Sequence, residues 1–452
     1  MFRILTHTCV WFGAILASAL PVGAQEAPAP GADPLARLVA EALERSPRLA
    51  ASRADADALE ARIPPAGAWE DPMLMIGFAN LPVTSFDFGD DFMTMKTVQV
   101  GQRIPLPGQI GHRREAAALR ASSAAHLVAA TEVEVAAEVK RAYAELYFRD
   151  RAIGTVDRNL RILRGLEEVT RTRYATGVGR QPAVLRAGVE IGGLEAQRVQ
   201  LVASRHAALA RLNALRDRPA ATPLDETAFP IPLARLAQRP GRELAFVSAM
   251  DVGGAERSLS APAGLPPLDS LIAEAVEGRP ELRAHVARID AQEESVALAR
   301  ALRWPAPEVA LGYGQRDGFP DMLNASISFR LPLFMGAKQG SAVREESAIL
   351  ARERAMHGRM VAEIERDVTA AYSRVLDARG QLERYDLGIL LRSEATLDAT
   401  LAAYRSGTED FLALLDSQTS LFQVELERHR QLADLLAAWA DLERAVGREI
   451  EP

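Results

Sequence analysis

The sequence predicts a mainly α-helical protein that also carries a membrane β-barrel, and three observations support this fold class. The stretch 112–174 contains no proline and no glycine except Gly154 and Gly165, so it predicts one helix roughly 95 Å long. Several sequence patterns from the first half return in the same order in the second half. Four short stretches alternate apolar and polar residues, which is typical of strands.

The N-terminal residues 1–24 are predicted to be a signal peptide. Arg3 gives a basic start, 9–20 form an apolar middle, and Val22-Gly23-Ala24 form a small-residue cleavage site. The apolar run is too short to span a bilayer. Cys9, the only cysteine, lies inside this segment. We therefore expect an exported, non-lipidated protein without disulfides or thiolate sites.

The remaining chain divides into a short leader and two repeats separated by an insertion. Pro280 corresponds to Pro47 and Trp304 to Trp69, and the "RYATGVG" segment at 173–179 corresponds to "AYRSGTE" at 403–409. The predicted regions are a flexible segment 25–34, a first repeat 35–216, a proline-rich irregular insertion 217–267 and a second repeat 268–447. The predicted strands are 71–80 and 97–106 in the first repeat, and 307–314 and 322–332 in the second.

Helix lengths predict how each repeat folds. Each repeat has one long helix, predicted at 112–174 in the first repeat and at 338–404 in the second, and two shorter ones. Pro64 and Pro65 are expected to end the helical structure that begins at Leu35. Two short helices end to end span about the length of the long one. The Tyr-x-x-Gly segments then become tight turns at the far tip, where glycine accommodates a positive φ. The predicted tip residues, which are also candidates for docking an adaptor, are Tyr174, Gly177, Val178, Gly179, Tyr404, Gly407 and Thr408. A seam of helix packing is predicted at Leu432, Leu435, Trp439, Leu442 and Val446.

The strand pattern places apolar residues on one face and polar residues on the other, as lipid-facing barrel strands do. A half-buried sheet in a soluble protein gives the same alternation. Four strands cannot close a barrel, and unpaired edges are costly in lipid. A membrane location would therefore require a dimer with eight strands or a trimer with twelve.

Composition and motifs argue against several other classes. The net charge of −7 and the lack of a basic run argue against nucleic-acid binding. The chain has no phosphate loop, HExxH or GxSxG motif, so we expect neither an enzyme nor a cofactor. Histidines stand singly, which argues against a histidine metal site. Met73 and Met75 are predicted on the strand face opposite Leu74 and Ile76, where they could contact a soft metal ion, but plain apolar filling explains them as well.

The duplicated helix–strand–strand–helix plan, the strand exits "QRIPLPG" and "FRLPLFMG", and the paired tips resemble the TolC-type outer-membrane efflux family. The segments "WEDPMLMIGFANLPV" and "VLRAGVEIGGLEAQRVQL" are most similar to its cation-efflux (CzcC/CusC-like) branch. The resemblance implies a homotrimer with a twelve-stranded barrel in outer-membrane lipid and an α-barrel tunnel in the periplasm of a Gram-negative bacterium. It also implies a periplasmic adaptor and an inner-membrane resistance-nodulation-division pump as partners.

The resemblance also assigns roles at the tip. Asp410 matches an acidic position that lines the closed aperture in relatives, and Glu409 and Arg180 are its neighbours in the repeat alignment. Three carboxylates around one axis would attract cations. The alternative is a tip salt bridge, for which Arg186, Asp416 and Arg405 are further candidates. Trp69 and Trp304 are predicted to lie at the membrane interface.

The resulting functional prediction is a passive exit duct for heavy-metal cations or small toxic compounds. Two alternatives remain open from the sequence. A periplasmic coiled-coil adaptor or scaffold would share the long hairpins but lack lipid-facing strands, and the duct of a type I protein secretion system would share the whole fold.

Overall fold

A computed structural model describes residues 33–83, 86–177, 180–224, 227–230, 233 and 265–451. The predicted signal peptide, the leader up to residue 32, most of the insertion, and the tip residues Val178 and Gly179 lie outside the described residues.

The two halves of the described chain have the same order of elements. The elements of the first half are α1 (Pro34–Arg45), α2 (Pro47–Glu60), α3 (Ile63–Gly67), β1 (Met73–Ala79), β2 (Met95–Arg103), α4 (Gln109–Ala175) and α5 (Gln181–Leu215). The elements of the second half are α6 (Leu268–Gly278), α7 (Pro280–Ala301), β3 (Glu308–Gln315), β4 (Met322–Ser328), α8 (Gln339–Arg384), α9 (Leu390–Ser406) and α10 (Phe411–Val446). A π-helical turn, Tyr385–Ile389, joins α8 to α9.

Proline fixes the same break in both halves. Pro47 begins α2 directly after Ser46, and Pro280 begins α7 directly after Arg279. Proline is favoured at a first helical position because an N–H there would have no partner. Proline also ends the preceding helix, because within a helix its missing N–H removes a hydrogen bond. The equivalent kinks of the two repeats therefore follow from the sequence.

The element boundaries differ from the expected ones in three places. Pro64 and Pro65 were expected to end helical structure, but they lie in the first turn of the short helix α3, where prolines are tolerated. The strands are displaced or shorter than predicted. β2 ends at Arg103, just ahead of Pro105, which cannot donate to a ladder, and β4 ends at Ser328, opposite the first residue of β3. The single helix expected from 338 to 404 is interrupted by the π-helical turn, which changes the helical phase.

The four strands form one antiparallel sheet in the order β1-β2-β3-β4. Leu74 pairs with Val100, Val100 with Leu311, and Leu311 with Ala325, so these four residues form one row across the whole sheet. The strands β1 and β4 are its two edges. The prediction of a mainly helical chain with four antiparallel strands is thus confirmed.

The long helix α4 is the central element of the helical part, since it packs against both neighbours of its own repeat and against α7 and α10 of the other. The main core runs between these helices and includes fully buried leucines. The seam predicted in α10 is buried there: Leu432, Leu435, Trp439, Leu442 and Val446. Among the described helices, none combines the length and the apolar character that crossing a bilayer requires.

A short piece of the insertion is fixed to the middle of α4. Thr227 donates from its N–H (3.1 Å) and its hydroxyl (2.8 Å) to the buried carboxylate of Asp150. The Tyr143 hydroxyl donates to the Ala228 carbonyl at 2.7 Å. Asp150 also pairs with Arg205 of α5 at 2.5 Å, so the buried charge is fully partnered. These contacts join the insertion to the middle of the hairpin that α4 and α5 form.

Candidate channel surfaces

The sheet has one face that is apolar and exposed, which we call the apolar face. The ladder register brings its side chains from all four strands onto the same side. Its exposed members are Leu74, Ile76, Phe78, Val98, Val100, Leu311, Tyr313, Leu323 and Ile327. An exposed apolar patch of this continuity indicates contact with lipid or with another protein surface.

The opposite side of the sheet, which we call the polar face, carries small and hydrogen-bonding residues. Thr97, Gln99, Asn324 and Ser326 lie there, together with glycines of β1, β2 and β3. Met73 and Met75 lie on this face, because they alternate with Leu74 and Ile76 along β1. This is the face on which the strand pattern placed both methionines.

Two tryptophans stand at equivalent positions below the sheet. Trp69 precedes β1 and Trp304 precedes β3, each just ahead of the first strand of its repeat. Both are strongly exposed, Trp304 at 69%. Amphipathic rings at the end of an apolar strand face suit a membrane–water boundary. Their interfacial role remains a prediction.

The two tip turns share one hydrogen-bond pattern, and this pattern explains the recurring Tyr-x-x-Gly. The Gly177 N–H donates to the Tyr174 carbonyl at 3.0 Å, and the Gly407 N–H donates to the Tyr404 carbonyl at 3.2 Å. Both glycines have a positive φ, 77° and 81°. A Cβ is disfavoured in this left-handed region, so glycine ends both descending helices.

Asp410 has a defined structural role at the second tip. It is the N-cap of α10, and its carboxylate accepts a hydrogen bond from the Ala413 N–H at 3.0 Å. The carboxylate remains exposed next to the positive end of the helix dipole. The preceding turn is closed by Thr408, whose N–H and hydroxyl both donate to the Ala403 carbonyl at 3.0 and 3.1 Å.

The repeat alignment places Arg180 opposite Asp410 and Arg186 opposite Asp416, which would suit links between neighbouring hairpins. Arg186 pairs with Glu190 on its own helix at 3.0 Å. Among the described residues, no ion pair joins Arg186 to Asp416 or Arg180 to Asp410. Arg180, Arg405, Glu409 and Asp416 are exposed. Links between neighbouring copies of the chain therefore remain a prediction.

Sequence reasoning missed the contact that joins the two hairpins near their tips. The guanidinium of Arg173, in the last turn of α4, lies over the ring of Tyr404, in the last turn of α9. Tyr404 also meets Phe411 edge to face, with ring centroids 6.2 Å apart. The repeat-related Tyr174 is exposed. The repeat alignment treated both tyrosines as equivalent and gave no signal for this asymmetry.

A second missed feature lies higher on α10. Arg428 pairs with Asp386 of the π-helical turn, and His429 follows it in sequence. The pKa of His429 is lowered to about 4, first by burial and then by the nearby cations Arg428, Arg151 and Arg158. This imidazole is therefore neutral at pH 7.

The chain matches a known protein family over most of its length. The profile of the family described as "Outer membrane efflux protein" matches residues 38–216 and 271–448. Among curated proteins, the chain is similar to the cobalt-zinc-cadmium resistance protein CzcC of Cupriavidus metallidurans, with 25% identity over 186 residues. This match covers 40% of the chain and 43% of CzcC, which is less than half of the relative's length.

Solved structures share the fold over nearly the whole chain. The outer-membrane channel OprN aligns with a TM-score of 0.73 and 20% identity, covering 92% of this chain and 91% of that one. The outer membrane protein VceC of Vibrio cholerae aligns with a TM-score of 0.72 and 16% identity, covering 92% and 97%. The family consists of channel proteins and not of enzymes. Because its profile matches both halves of the molecule, the chain belongs to the outer membrane efflux protein family.

Proposed function

We propose that the chain is the outer-membrane duct of a tripartite efflux system and that it works as a homotrimer. Three copies each contribute four strands to a twelve-stranded barrel, and their hairpins form a periplasmic tunnel. A periplasmic adaptor joins the tunnel to an inner-membrane resistance-nodulation-division pump, which supplies the energy. The cargo is heavy-metal cations or small toxic compounds.

The observation that carries this proposal is the open sheet with one exposed apolar face. The outer sides of the edge strands β1 and β4 have no partner strand among the described residues. In lipid, each unpaired backbone group would cost several kcal/mol, so the edges must pair with another copy. A coiled-coil scaffold in water would have no use for such a face. The sheet therefore favours the duct over the scaffold.

The number of copies follows from barrel size. Two copies would give eight strands, and an eight-stranded barrel is filled by its own side chains. Three copies give twelve strands and leave an open lumen lined by the polar face. A passive duct requires such a lumen. The glycines and short polar side chains of that face also keep the lumen wide.

The similarity to a cobalt-zinc-cadmium resistance protein supports cations as cargo. The exposed carboxylate of Asp410 fits this cargo, because three copies would place three negative charges around the tip aperture. At the exposed turns, Gly177 and Gly407 have no side chain, so the adaptor can approach the backbone closely there.

Cysteine cross-linking tests the assembly directly. Cys9 lies in the predicted signal peptide, so the mature chain provides a background without thiols. Leu74→Cys and Ile76→Cys on β1 would be combined in turn with Ala325→Cys and Ile327→Cys on β4. In outer-membrane preparations, oxidation should give a ladder of disulfide-linked species, of two and three chains and no larger. These species should form only when both edge strands carry a cysteine.

The single-cysteine variants provide the control, since they cannot link a closed ring. The purified trimer should also form water-filled pores in planar bilayers. A chain that remains monomeric in water without detergent, or a ladder that continues past three chains, would contradict the proposal.

A further inference from the structure

All four methionines of the sheet lie on its polar face. Met73 and Met75 belong to β1, Met95 to β2 and Met322 to β4, and the register places each of them opposite or beside polar-face residues. Apart from Lys96, Gln102 and Gln315 near the strand ends, the apolar face contains Leu, Ile, Val, Phe, Tyr and Ala, and it contains no methionine. Methionine is an apolar residue, so lipid contact would favour the other face. The presence of all four methionines on the polar face therefore needs an explanation other than contact with lipid.

The register also distributes these thioethers along the strands. Met95 pairs with Ala79, Met322 with Gly314, Met75 with Gln99 and Met73 with Gly101. Thr97 pairs with both Gly77 of β1 and Gly314 of β3, so the Met322–Gly314 pair lies one level beyond the Met95 pair and one level before the Met75 pair. The four pairs are therefore successive levels along the polar face. Each level is two residues beyond the last, roughly 6.7 Å, so one thioether follows another over roughly 20 Å.

At one end of this series, two thioethers converge. A Cβ built on Gly314 would lie 2.6 Å from the Met95 sulfur, so the Met95 side chain lies directly over that glycine. Gly314 is in turn the ladder partner of Met322. Directly opposite residues of an antiparallel pair have Cβ positions roughly 5 Å apart. Met95 and Met322 can therefore approach each other above the gap that Gly314 leaves.

The chemistry of these levels selects soft cations. Thioethers bind Cu(I) and Ag(I), whereas Zn²⁺ and Co²⁺ prefer imidazole and carboxylate ligands. The neighbours Thr97, Gln99 and Asn324 are neutral. In the ranges that the structure describes, no three His, Cys, Asp or Glu side chains come together in a geometry that could hold a metal ion.

We propose that the polar face of the sheet is a path for a soft monovalent cation, Cu(I) or Ag(I), with Met95 and Met322 as its tightest site and Met75 and Met73 as the next steps. The path rests on the proposed function, because the polar face lines a lumen only in the closed barrel. Each level would then present three thioethers. Weak binding at several successive sites is what conduction requires.

The binding test uses Ag(I), which is not oxidised or reduced under these conditions, on the purified full chain in detergent. With ¹³C-methyl-labelled methionine, silver nitrate should shift the methyl signals of Met95 and Met322 first, and zinc chloride should shift neither. The double variant Met95→Leu/Met322→Leu keeps apolar volume but removes both sulfurs. Its apparent affinity for Ag(I) should be at least about tenfold weaker.

Two further variants sharpen the test. Met356→Leu/Met360→Leu removes two methionines of α8, away from the sheet, and should leave the affinity unchanged. Gly314→Ala keeps both sulfurs but forces Met95 aside, and should weaken Ag(I) binding as well. If both double variants lose affinity equally, or if silver shifts no methyl signal of the sheet, the thioether path is wrong and the methionines only fill space.

The two proposals fail in distinguishable ways. A conducting trimer without Ag(I) binding overturns the thioether path and leaves the duct intact. A chain that binds Ag(I) through Met95 and Met322 but forms no pore supports the site and overturns the duct.

Discussion

The guanidinium carbon of Arg173 lies 4.8 Å from the centroid of the Tyr404 ring. Arg173 ends the long helix of the first hairpin and Tyr404 ends α9 of the second, so this contact ties the two tips of one chain together. A cation–π contact at a partly exposed site contributes about 0.5–1 kcal/mol. Because the tip has few buried side chains, a contact of this size matters there.

We expect Tyr404→Ala to separate the two tips, because it removes the ring that both Arg173 and Phe411 contact. In planar bilayers, the single-channel conductance should rise while the trimer stays assembled. Tyr404→Phe keeps the ring and should behave like the wild type. Tyr174→Ala, at the equivalent and exposed position of the first tip, should also leave the conductance unchanged. An equal rise for both alanine variants would mean that the ring contact is not the cause.

Asp410 combines two roles that suitable substitutions can separate. Asp410→Asn keeps an N-cap for α10 but removes the charge, whereas Asp410→Ala removes both. We expect both variants to lower the cation preference of the channel, measured as the reversal potential in a salt gradient. Only Asp410→Ala should also reduce the free energy of unfolding, by about 1 kcal/mol.

The control for the charge effect is Asp398→Asn, which removes an exposed carboxylate of α9 more than two turns from the tip. Its reversal potential should match the wild type. If Asp410→Asn keeps the full cation preference, Asp410 acts as a helix cap and not as part of a charged aperture.

The sequence was sufficient for the features that depend on local pattern. Long runs without proline or glycine predicted α4, and alternation predicted which side of β1 carries Met73 and Met75. The positive φ of Gly177 and Gly407 followed from glycine placed after a helix. Each of these features is determined by neighbours in the sequence.

Other features depend on contacts between distant segments and had no local signal. The Arg173–Tyr404 contact joins residues from different repeats. The low pKa of His429 results first from burial in the helical core, then from the adjacent Arg428 and from Arg151 and Arg158 of α4. The π-helical turn at 385–389 contains Gly388, but a single glycine within a helical pattern does not indicate a π-helical turn. The levels of the thioethers required the register between β2 and β3, which no turn connects directly.

His429 should make the protein less stable in acid. Its unfolded pKa is 6.5 and its folded pKa is about 4, so the unfolded chain binds more protons between these values. The stabilising effect is complete above pH 6.5 and is lost as the pH falls towards 4. After allowing for solvent screening of this partly exposed group, we expect a loss of about 1–2 kcal/mol.

The variant His429→Gln removes the titrating group and should flatten the fall of Tm between pH 6.5 and pH 4. His206→Gln replaces an exposed histidine of α5 and should leave the profile as in the wild type. If both variants follow the wild-type curve, another group causes the acid sensitivity in this range.

Two helix-ending glycines with nearly the same backbone conformation should differ in how well they tolerate a side chain. Gly407 and Gly447 have φ of 81° and 90°, so alanine is strained at both, at a cost of about 1–2 kcal/mol. A Cβ at Gly407 would meet no atom within 4 Å. At Gly447 it would lie 3.1 Å from Cγ of Arg279 and 3.2 Å from the backbone of Arg279 and from Pro280.

The contact at Gly447 is with the break between α6 and α7, and it cannot move easily because Pro280 is rigid. We therefore expect Gly447→Ala to reduce the free energy of unfolding by about 1–3 kcal/mol more than Gly407→Ala does. Denaturant unfolding of both variants measures this difference, and Gly358→Ala, in the open middle of α8, should be neutral or stabilising. Equal losses at both glycines would show that backbone strain alone sets the cost and that α10 and the α6–α7 break are not tightly packed at this point.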